Sequence, residues 1–313
     1  MLSRLQFVRL VLPRSHQELE LHKDEMIFMG ITKMFKLVAR RTGRPLLRIP
    51  SVRRSLGKLP GARHLLPGVN QFTVWDRVHP FDVAHGTDTS GFVAITNLDH
   101  PEESRAHALP YVGSQPSIVR SVLEALPPLD SFTFVDLGCG KGRPLLVASE
   151  FSFRDIVGVE LSASLVQIAK HNAKLIAQRF PQRTSIRIVL GDATQFQFPA
   201  GNLVIFMYNP FGDTAIAKVA EAVNAAITNN SNRVVYIVYY NPVAGQQFDA
   251  SPLLRRSLAA TFPYGTDELG YGPDSEDPVI IWQHGMALAS TDARANSSIE
   301  IVDPVYRVKL VPR

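Results

Sequence analysis

Short apolar stretches alternate with apolar residues at helical spacing from residue 132 onward. The pattern predicts five buried strands, over 132–136, 155–160, 185–190, 203–208 and 233–240. It predicts helices between them, over 143–151, 163–180 and 214–228. Two further strands are predicted over 278–283 and 305–311. Strands that alternate with helices indicate an α/β fold with a doubly wound, mostly parallel seven-stranded sheet.

The chain before the first predicted strand has three distinct parts. Residues 115–127 carry an apolar stripe at helical spacing, which predicts a helix. Residues 26–41 combine such a stripe with interleaved Lys and Arg, a pattern typical of a basic amphipathic helix. Residues 42–70 are rich in Gly, Pro and Arg and predict an irregular linker. We therefore expect a basic helical extension over 1–70 and one domain over 71–313.

Charge separates the N-terminal arm from the rest of the chain. The net charge of +5 combines a balance of +10 over residues 1–63 with a balance of −5 over residues 64–313. A basic arm on a mildly acidic body indicates weak contact of the arm with a membrane surface or with nucleic acid. The alternative is a solvated helix that packs on the body by one face.

The composition argues against several classes of protein. The single cysteine, Cys139, excludes an internal disulfide framework and a zinc site built on several thiolates. The nine histidines show no metal-binding spacing, so we expect no metal. No apolar run approaches the roughly 20 residues of a membrane-spanning helix. The N-terminus does not resemble a secretory signal, so we expect a cytoplasmic protein.

A glycine-rich turn follows the first predicted strand. Gly138, Gly140 and Gly142 allow the backbone to turn sharply and to approach a ligand at the carboxyl end of the strand. The dinucleotide fingerprint requires Gly or Ala at the position of Arg143, which counts against NAD and FAD. Asp136 at the turn suits a cation, and we expect the α-amino group of S-adenosylmethionine (SAM) there.

The next two strands also end in acidic residues. Glu160 ends the second strand about 20 residues beyond the glycines, where an acid can accept both hydroxyls of a ribose. Asp192 follows the third strand, where it can accept a hydrogen bond from an adenine amine. The alternatives are an acidic group at a helix start for Glu160 and a turn aspartate for Asp192.

The fourth predicted strand ends in Asn209-Pro210-Phe211. The amide oxygen of Asn209 can hold an amine and direct its lone pair at a methyl group. Pro210 has no N–H to compete, and Phe211 can pack on a cation. The alternative is an ordinary loop after a strand, since Asn-Pro is a turn former.

Residues 132–241 resemble the class I SAM-dependent methyltransferases, and the stretch 81–245 resembles a bacterial branch of that family. The resemblance implies that the segment from Asp136 to Gly142 lines the methionine part of SAM. It also implies that Glu160 binds the ribose and that Asp192 contacts the adenine. Asn209-Pro210-Phe211 resembles the motif of amine N-methyltransferases, with one proline missing.

Two segments upstream of the glycine-rich turn are also candidates for contact with the cofactor. Tyr111 and Gln115 flank a predicted helix start and can hydrogen-bond the cofactor carboxylate. Their arrangement is loosely similar to that in protein-lysine methyltransferases of the non-SET type. Asp88, Thr89 and Ser90 predict a polar loop that closes over the cofactor. Ordinary surface turns or caps are the alternative for both segments.

The sequence therefore predicts an enzyme that binds SAM and methylates an amine nitrogen, with a protein lysine as one candidate acceptor. The expected partners are SAM and an unidentified methyl acceptor. Methyl transfer to nucleic acid or to a small molecule is an alternative, and so is a catalytically silent SAM-binding protein.

Overall fold

The computed structural model describes residues 77–101, 108–285, 293–302 and 307–312. All of these belong to one compact unit, Gln71–Arg313. The predicted basic helix and linker lie outside the described residues, so the extension over 1–70 and the domain boundary stay predictions. No helix in the described ranges is long and apolar enough to cross a membrane.

A seven-stranded sheet forms the centre of the domain, in the order β3-β2-β1-β4-β5-β7-β6. The strands are β1 Phe132–Leu137, β2 Asp155–Glu160, β3 Ile186–Leu190, β4 Asn202–Tyr208, β5 Val235–Tyr240, β6 Arg255–Pro263 and β7 Glu276–His284. The first five are parallel, and β7 runs antiparallel to both β5 and β6. The start of β7 therefore lies beside the carboxyl ends of the parallel strands.

Six helices accompany the sheet in the described residues. They are α1 Pro80–His85, α2 Pro116–Glu124, α3 Arg143–Ala148, α4 Ala163–Arg179, α5 Asp213–Asn229 and α6 Gln246–Asp249. The hydroxyl of Ser162 accepts a hydrogen bond from the N–H of Leu165 and caps the start of α4. Prolines in the first turns of α2 and α3 occupy positions where a missing N–H costs no hydrogen bond.

Apolar side chains pack on both faces of the sheet. Phe134 of β1 packs on one face with Ile118 of α2, while Val135 packs on the other face with Ile216 of α5. Each of these side chains is fully buried, which stabilises the fold by about 1.5–3 kcal/mol apiece. The strands are consequently apolar on both faces, and polar groups collect at their carboxyl ends.

The number of strands in the sheet was predicted correctly, but the segment predicted to form the seventh strand was wrong. The segment 305–311 contains β9, Arg307–Leu310, which pairs with β8, Ile299–Val302, in a separate hairpin. The missing strand of the main sheet is β6, which pairs with β7. Antiparallel neighbours need no helical crossover between them. Because β7 is antiparallel to both β5 and β6, the strict alternation of strands and helices stops after β5.

Candidate active site

The glycine-rich turn at the end of β1 requires glycine. Gly138, Gly140 and Gly142 have φ angles of 77°, 54° and 89°, which L-residues with side chains rarely adopt. A Cβ on Gly140 would lie 2.3 Å from the ring of Tyr111. The N–H of Gly138 donates to the carbonyl of Val159 at 2.9 Å, which joins the turn to the neighbouring strand β2.

Asp136 lies at the end of β1, one residue before the last, and faces a large cavity. Its side chain is 2% exposed, and Oδ2 has no hydrogen-bond partner among the described residues. Burial raises its pKa well above the usual value, and the nearby Glu160 raises it further. A buried carboxylate oxygen without a partner is costly, so the site favours a cationic ligand.

Glu160 is buried at the end of β2 and binds two backbone N–H groups. Oε2 accepts from Gly140 at 2.9 Å, and Oε1 accepts from Ser162 at 2.8 Å. The carboxylate therefore holds the glycine-rich turn and the start of α4 together. Because it also lines the cavity, the predicted contact with a ribose remains compatible with its position.

His100 lies beside Glu160 and was not among the predicted site residues, because no motif surrounds it in the sequence. Its Nε2 is 3.8 Å from Oε1 of Glu160, and the side chain is 8% exposed. Neither ring nitrogen has a hydrogen-bond partner among the described residues. The neighbouring Asp99 accepts hydrogen bonds from Ser162 and Ser164, which fixes this loop over the end of β2. His100 therefore lines the cavity and carries two buried ring nitrogens that the described residues leave without a hydrogen bond.

Asp192 is exposed and lines the same cavity. Oδ1 accepts hydrogen bonds from the N–H and the hydroxyl of Thr194, both at 2.8 Å. The aspartate thus caps a short 3₁₀ turn, which is the alternative that the sequence left open. Its predicted contact with an adenine stays a prediction.

The two predicted upstream residues have different surroundings. Tyr111 lines the cavity, and its hydroxyl donates to the carbonyl of Thr89 at 2.7 Å. Gln115 does not line the cavity, because its side chain is buried at the start of α2, with Oε1 3.0 Å from Nε2 of His79. The geometry therefore does not support Gln115 as a cofactor ligand. Gly142, the residue that precedes α3, does not line the cavity either.

The predicted closing loop is firmly held in the structure. Thr89 is fully buried, and its N–H and hydroxyl donate to Asp82. Arg143 donates to the hydroxyl and the carbonyl of Thr89, at 2.7 and 2.8 Å. Lys141 donates to the side chain of Asp88 at 2.7 Å. These contacts fix the loop against the glycine-rich turn. They do not fit the prediction of a loop that closes over the cofactor.

The segment Asn209-Pro210-Phe211 lines the cavity next to the turn. A Cβ on Gly138 would lie 2.6 Å from Cβ of Pro210, so the two loops touch. Asn209 has a φ of 35°, and its N–H donates to the carbonyl of Tyr240. The hydroxyl of Tyr239 lies 3.4 Å from its Oδ1, a long hydrogen bond that leaves this oxygen room for a second donor.

The cavity has a volume of about 1190 Å³, which is large enough for a nucleoside cofactor together with a second substrate. Its walls contain nine of the eleven predicted site residues: Tyr111, Asp136, Gly138, Gly140, Glu160, Asp192, Asn209, Pro210 and Phe211. Cys139 is buried in the turn, where burial raises the pKa of its thiol and so disfavours the thiolate that a nucleophile needs. Among the described residues, no group of His, Cys, Asp and Glu is placed to hold a metal ion.

Residues 134–229 match a family model described as a methyltransferase domain. The match runs from β1 to α5 and includes the glycine-rich turn, Glu160 and Asn209. Together with the sheet order, it identifies this region as a class I SAM-dependent methyltransferase domain. The cofactor is SAM, and the cavity fits it, because the unpartnered oxygen of Asp136 is suited to its amino group.

Solved structures are similar to this chain at low sequence identity. YcgJ from Bacillus subtilis is 13% identical, over 54% of this chain and 97% of its own, with a TM-score of 0.39. An RNA methyltransferase from Salinibacter ruber in complex with S-adenosylhomocysteine (SAH) is 16% identical, over 58% and 99%, with a TM-score of 0.36. TrmN from Thermus thermophilus is 14% identical, over 54% and 48%, with a TM-score of 0.38. No curated protein matches. TM-scores of 0.36–0.39 provide no evidence on the fold beyond the order of the strands.

Proposed function

We propose that this enzyme transfers the methyl group of SAM to an amine nitrogen. The observation that supports the proposal is the position of Asn209 at the carboxyl end of β4, beside the strand that carries Asp136. Adjacent strands are about 4.8 Å apart, so an acceptor held at Asn209 lies next to a cofactor held at Asp136. Both residues face the same cavity.

The chain's own residues would position the acceptor. Oδ1 of Asn209 accepts an N–H of the amine, which orients the nitrogen lone pair toward the cofactor. Pro210 offers no N–H that would compete for that lone pair. Phe211 lines the wall beside it and excludes water. When bound, SAM would supply a methyl group on a sulfonium: the lone pair of the neutral amine would form the C–N bond as the C–S bond breaks, the sulfur would leave as the uncharged thioether of SAH, and the extra proton of the methylated nitrogen would pass to solvent. Positioning and desolvation are therefore the main contributions of the protein.

A nucleic-acid acceptor is the second candidate, and the basic arm over residues 1–63 supports it. Phosphate binding by that arm would make affinity for the acceptor fall steeply with salt. A methylation rate that stays constant between low and high salt would exclude this role of the arm.

Transfer of a labelled methyl group into a cell lysate tests the proposal. We expect the label on nitrogen, in protein or in small amines. Asn209→Gly should reduce transfer by about 100-fold or more while SAH affinity stays within about threefold, since glycine keeps the φ angle and removes the amide. Asn241→Gly is the matched control, because Asn241 has a φ of 51° at the end of β5. Label on oxygen or carbon, or full activity of Asn209→Gly, would contradict the proposal.

A further inference from the structure

Asp277 at the start of β7 is a buried carboxylate held by two tyrosines. The side chain is 8% exposed and contributes to the cavity wall. The hydroxyls of Tyr240 and Tyr264 both donate to Oδ2, each at 2.7 Å. Among the described residues, no hydrogen bond reaches Oδ1. The tyrosines therefore fix the carboxylate and leave one oxygen for a ligand.

Asp277 continues the row of strand ends that carries the predicted site. The N–H of Asn241, at the end of β5, donates to the carbonyl of Pro278 at 2.8 Å. Along the sheet, β7 lies two strands from β4, which carries Asn209 at its end. At about 4.8 Å per strand, the two backbone positions are roughly 10 Å apart. Asp277 thus lies on the acceptor side of the cavity, beyond Asn209 as seen from the cofactor strand β1.

An aromatic side chain accompanies the carboxylate. Tyr208 immediately precedes Asn209 and lines the cavity. Its ring centroid is 4.3 Å from that of Tyr240, one of the two tyrosines that hold Asp277. A tyrosine ring beside a fixed carboxylate is the environment that binds alkylammonium groups, by cation–π and ionic attraction together.

We propose that Tyr208 and Asp277 form an ammonium subsite, which binds a positively charged alkylammonium group of the methyl acceptor. Tyr240 and Tyr264 are positioning residues that hold the carboxylate. The inference rests on the proposed function and narrows the acceptor to a molecule that carries a second, protonated amine besides the neutral amine held at Asn209. It also explains the acidic surroundings, since Asp274 and Glu276 line the same part of the cavity.

The charge state of Asp277 supports this subsite near neutral pH. Its pKa is raised to about 6: burial raises it most, Asp274 and Glu276 also raise it, and the hydrogen bonds from Tyr240 and Tyr264 lower it. The carboxylate is therefore ionised at neutral pH and protonated in mild acid. Binding of a cation should strengthen as the pH rises through this value.

Calorimetry of the SAH-saturated full-length protein tests the subsite, with n-butylammonium as the probe and n-butanol as its neutral analogue. We expect n-butylammonium to bind at least about tenfold more tightly than n-butanol at about pH 7.5. Its affinity should fall about tenfold at about pH 5, where about a tenth of Asp277 is ionised. Asp277→Asn should remove both the preference and the pH dependence.

Two further variants separate binding from folding. Glu124→Gln removes one negative charge from the exposed end of α2, which does not line the cavity, and should keep the affinity for n-butylammonium within about threefold. Tyr264→Phe removes a hydrogen bond that lowers the pKa of Asp277, so the pH midpoint of binding should rise. The affinity for SAH should be unchanged in all variants, which shows that they fold.

Equal affinity of the wild type and Asp277→Asn for n-butylammonium, with SAH bound normally, would overturn the subsite and leave the proposed function in place. An unchanged pH midpoint in Tyr264→Phe would overturn it too, even if Asp277→Asn did not fold. Label on oxygen or carbon in the lysate experiment would overturn the proposed function, and the inference with it.

Discussion

The carboxylate of Glu160 accepts a hydrogen bond from the backbone N–H of Gly140 at 2.9 Å, so the acid holds the turn that it faces. Its other oxygen accepts from the N–H of Ser162. The residue predicted to bind the ribose is thus also part of the structure that shapes the cavity. Loss of binding and loss of stability need to be measured separately in any variant of Glu160.

We expect Glu160→Gln to lower both quantities. The amide has one acceptor oxygen, so the N–H of either Gly140 or Ser162 loses its partner. The free energy of unfolding should fall by about 1–3 kcal/mol in urea denaturation. The dissociation constant of SAH, measured by calorimetry, should rise about tenfold. Glu150→Gln is the control: it breaks a partly exposed pair with Arg120 and should cost less than about 1 kcal/mol. An unchanged SAH affinity would remove Glu160 from the cofactor site.

Gly140→Ala should destabilise the domain, since the new Cβ would meet Tyr111 and the φ of 54° is unfavourable for alanine. We expect a loss of about 1–3 kcal/mol in thermal or urea unfolding. Gly191→Ala, whose Cβ would have 4.0 Å to the nearest atom, should change stability by less than about 0.5 kcal/mol.

A double-mutant cycle with Tyr111→Ala separates the two causes in Gly140→Ala. The ring contact contributes only when both side chains are present, whereas the cost of the φ angle persists without the ring. If Gly140→Ala costs the same in both backgrounds, the contact with Tyr111 plays no part.

His100→Ala should weaken SAH binding by about tenfold without destabilising the fold. Its two ring nitrogens have no hydrogen-bond partner among the described residues, so their removal breaks no hydrogen bond in that part of the chain. We expect the ring to contact the bound cofactor, because His100 lines the cavity beside Glu160. His171→Ala on the exposed surface of α4 is the control and should leave SAH affinity unchanged. Equal SAH affinity of both variants would show that His100 does not contact the cofactor.

The pKa of Asp277 predicts a pH dependence of stability. In the fold its pKa is about 6, against an ordinary value of 3.8. Between these values the folded chain binds a proton that the unfolded chain has lost, so stability falls as the pH rises through this window. Asp277→Asn should not show this decline. At pH values above about 6 the variant should therefore be more stable than the wild type, by at most about 3 kcal/mol. Parallel pH profiles for the two proteins would show that Asp277 is not perturbed.

The sequence was sufficient for the central part of the sheet. Strands β1, β2, β4 and β5 are short, mostly apolar and mostly buried runs bounded by turns, so their composition and length define them. Strand β6 was missed, because it mixes polar and apolar side chains and only two of its nine residues are buried. Its partner β7 supplies the pairing that makes it a strand, and pairing partners cannot be read from local pattern.

The candidate site likewise contains residues that the sequence predicted and residues that it did not. Asp136, Glu160 and Asn209 end strands, and a parallel sheet brings such ends to one edge. His100 and Asp277 reach the cavity from a loop and from an antiparallel strand, with no motif around them. Gln115 was assigned to the site for its place at a predicted helix start and for a loose similarity to protein-lysine methyltransferases, but its side chain points to His79. Sequence position indicates an edge of the fold, and only packing decides the direction of a side chain.

Arg143, the residue that breaks the dinucleotide fingerprint, binds Thr89 and the carbonyl of Ser114. It links the start of α3 to a loop far away in sequence. A ligand that orders the glycine-rich turn should therefore also slow amide hydrogen exchange at Thr89, although Thr89 is not part of the cavity wall. The buried amide of Thr89 thus offers a spectroscopic reporter of cofactor occupancy that no acceptor molecule can touch.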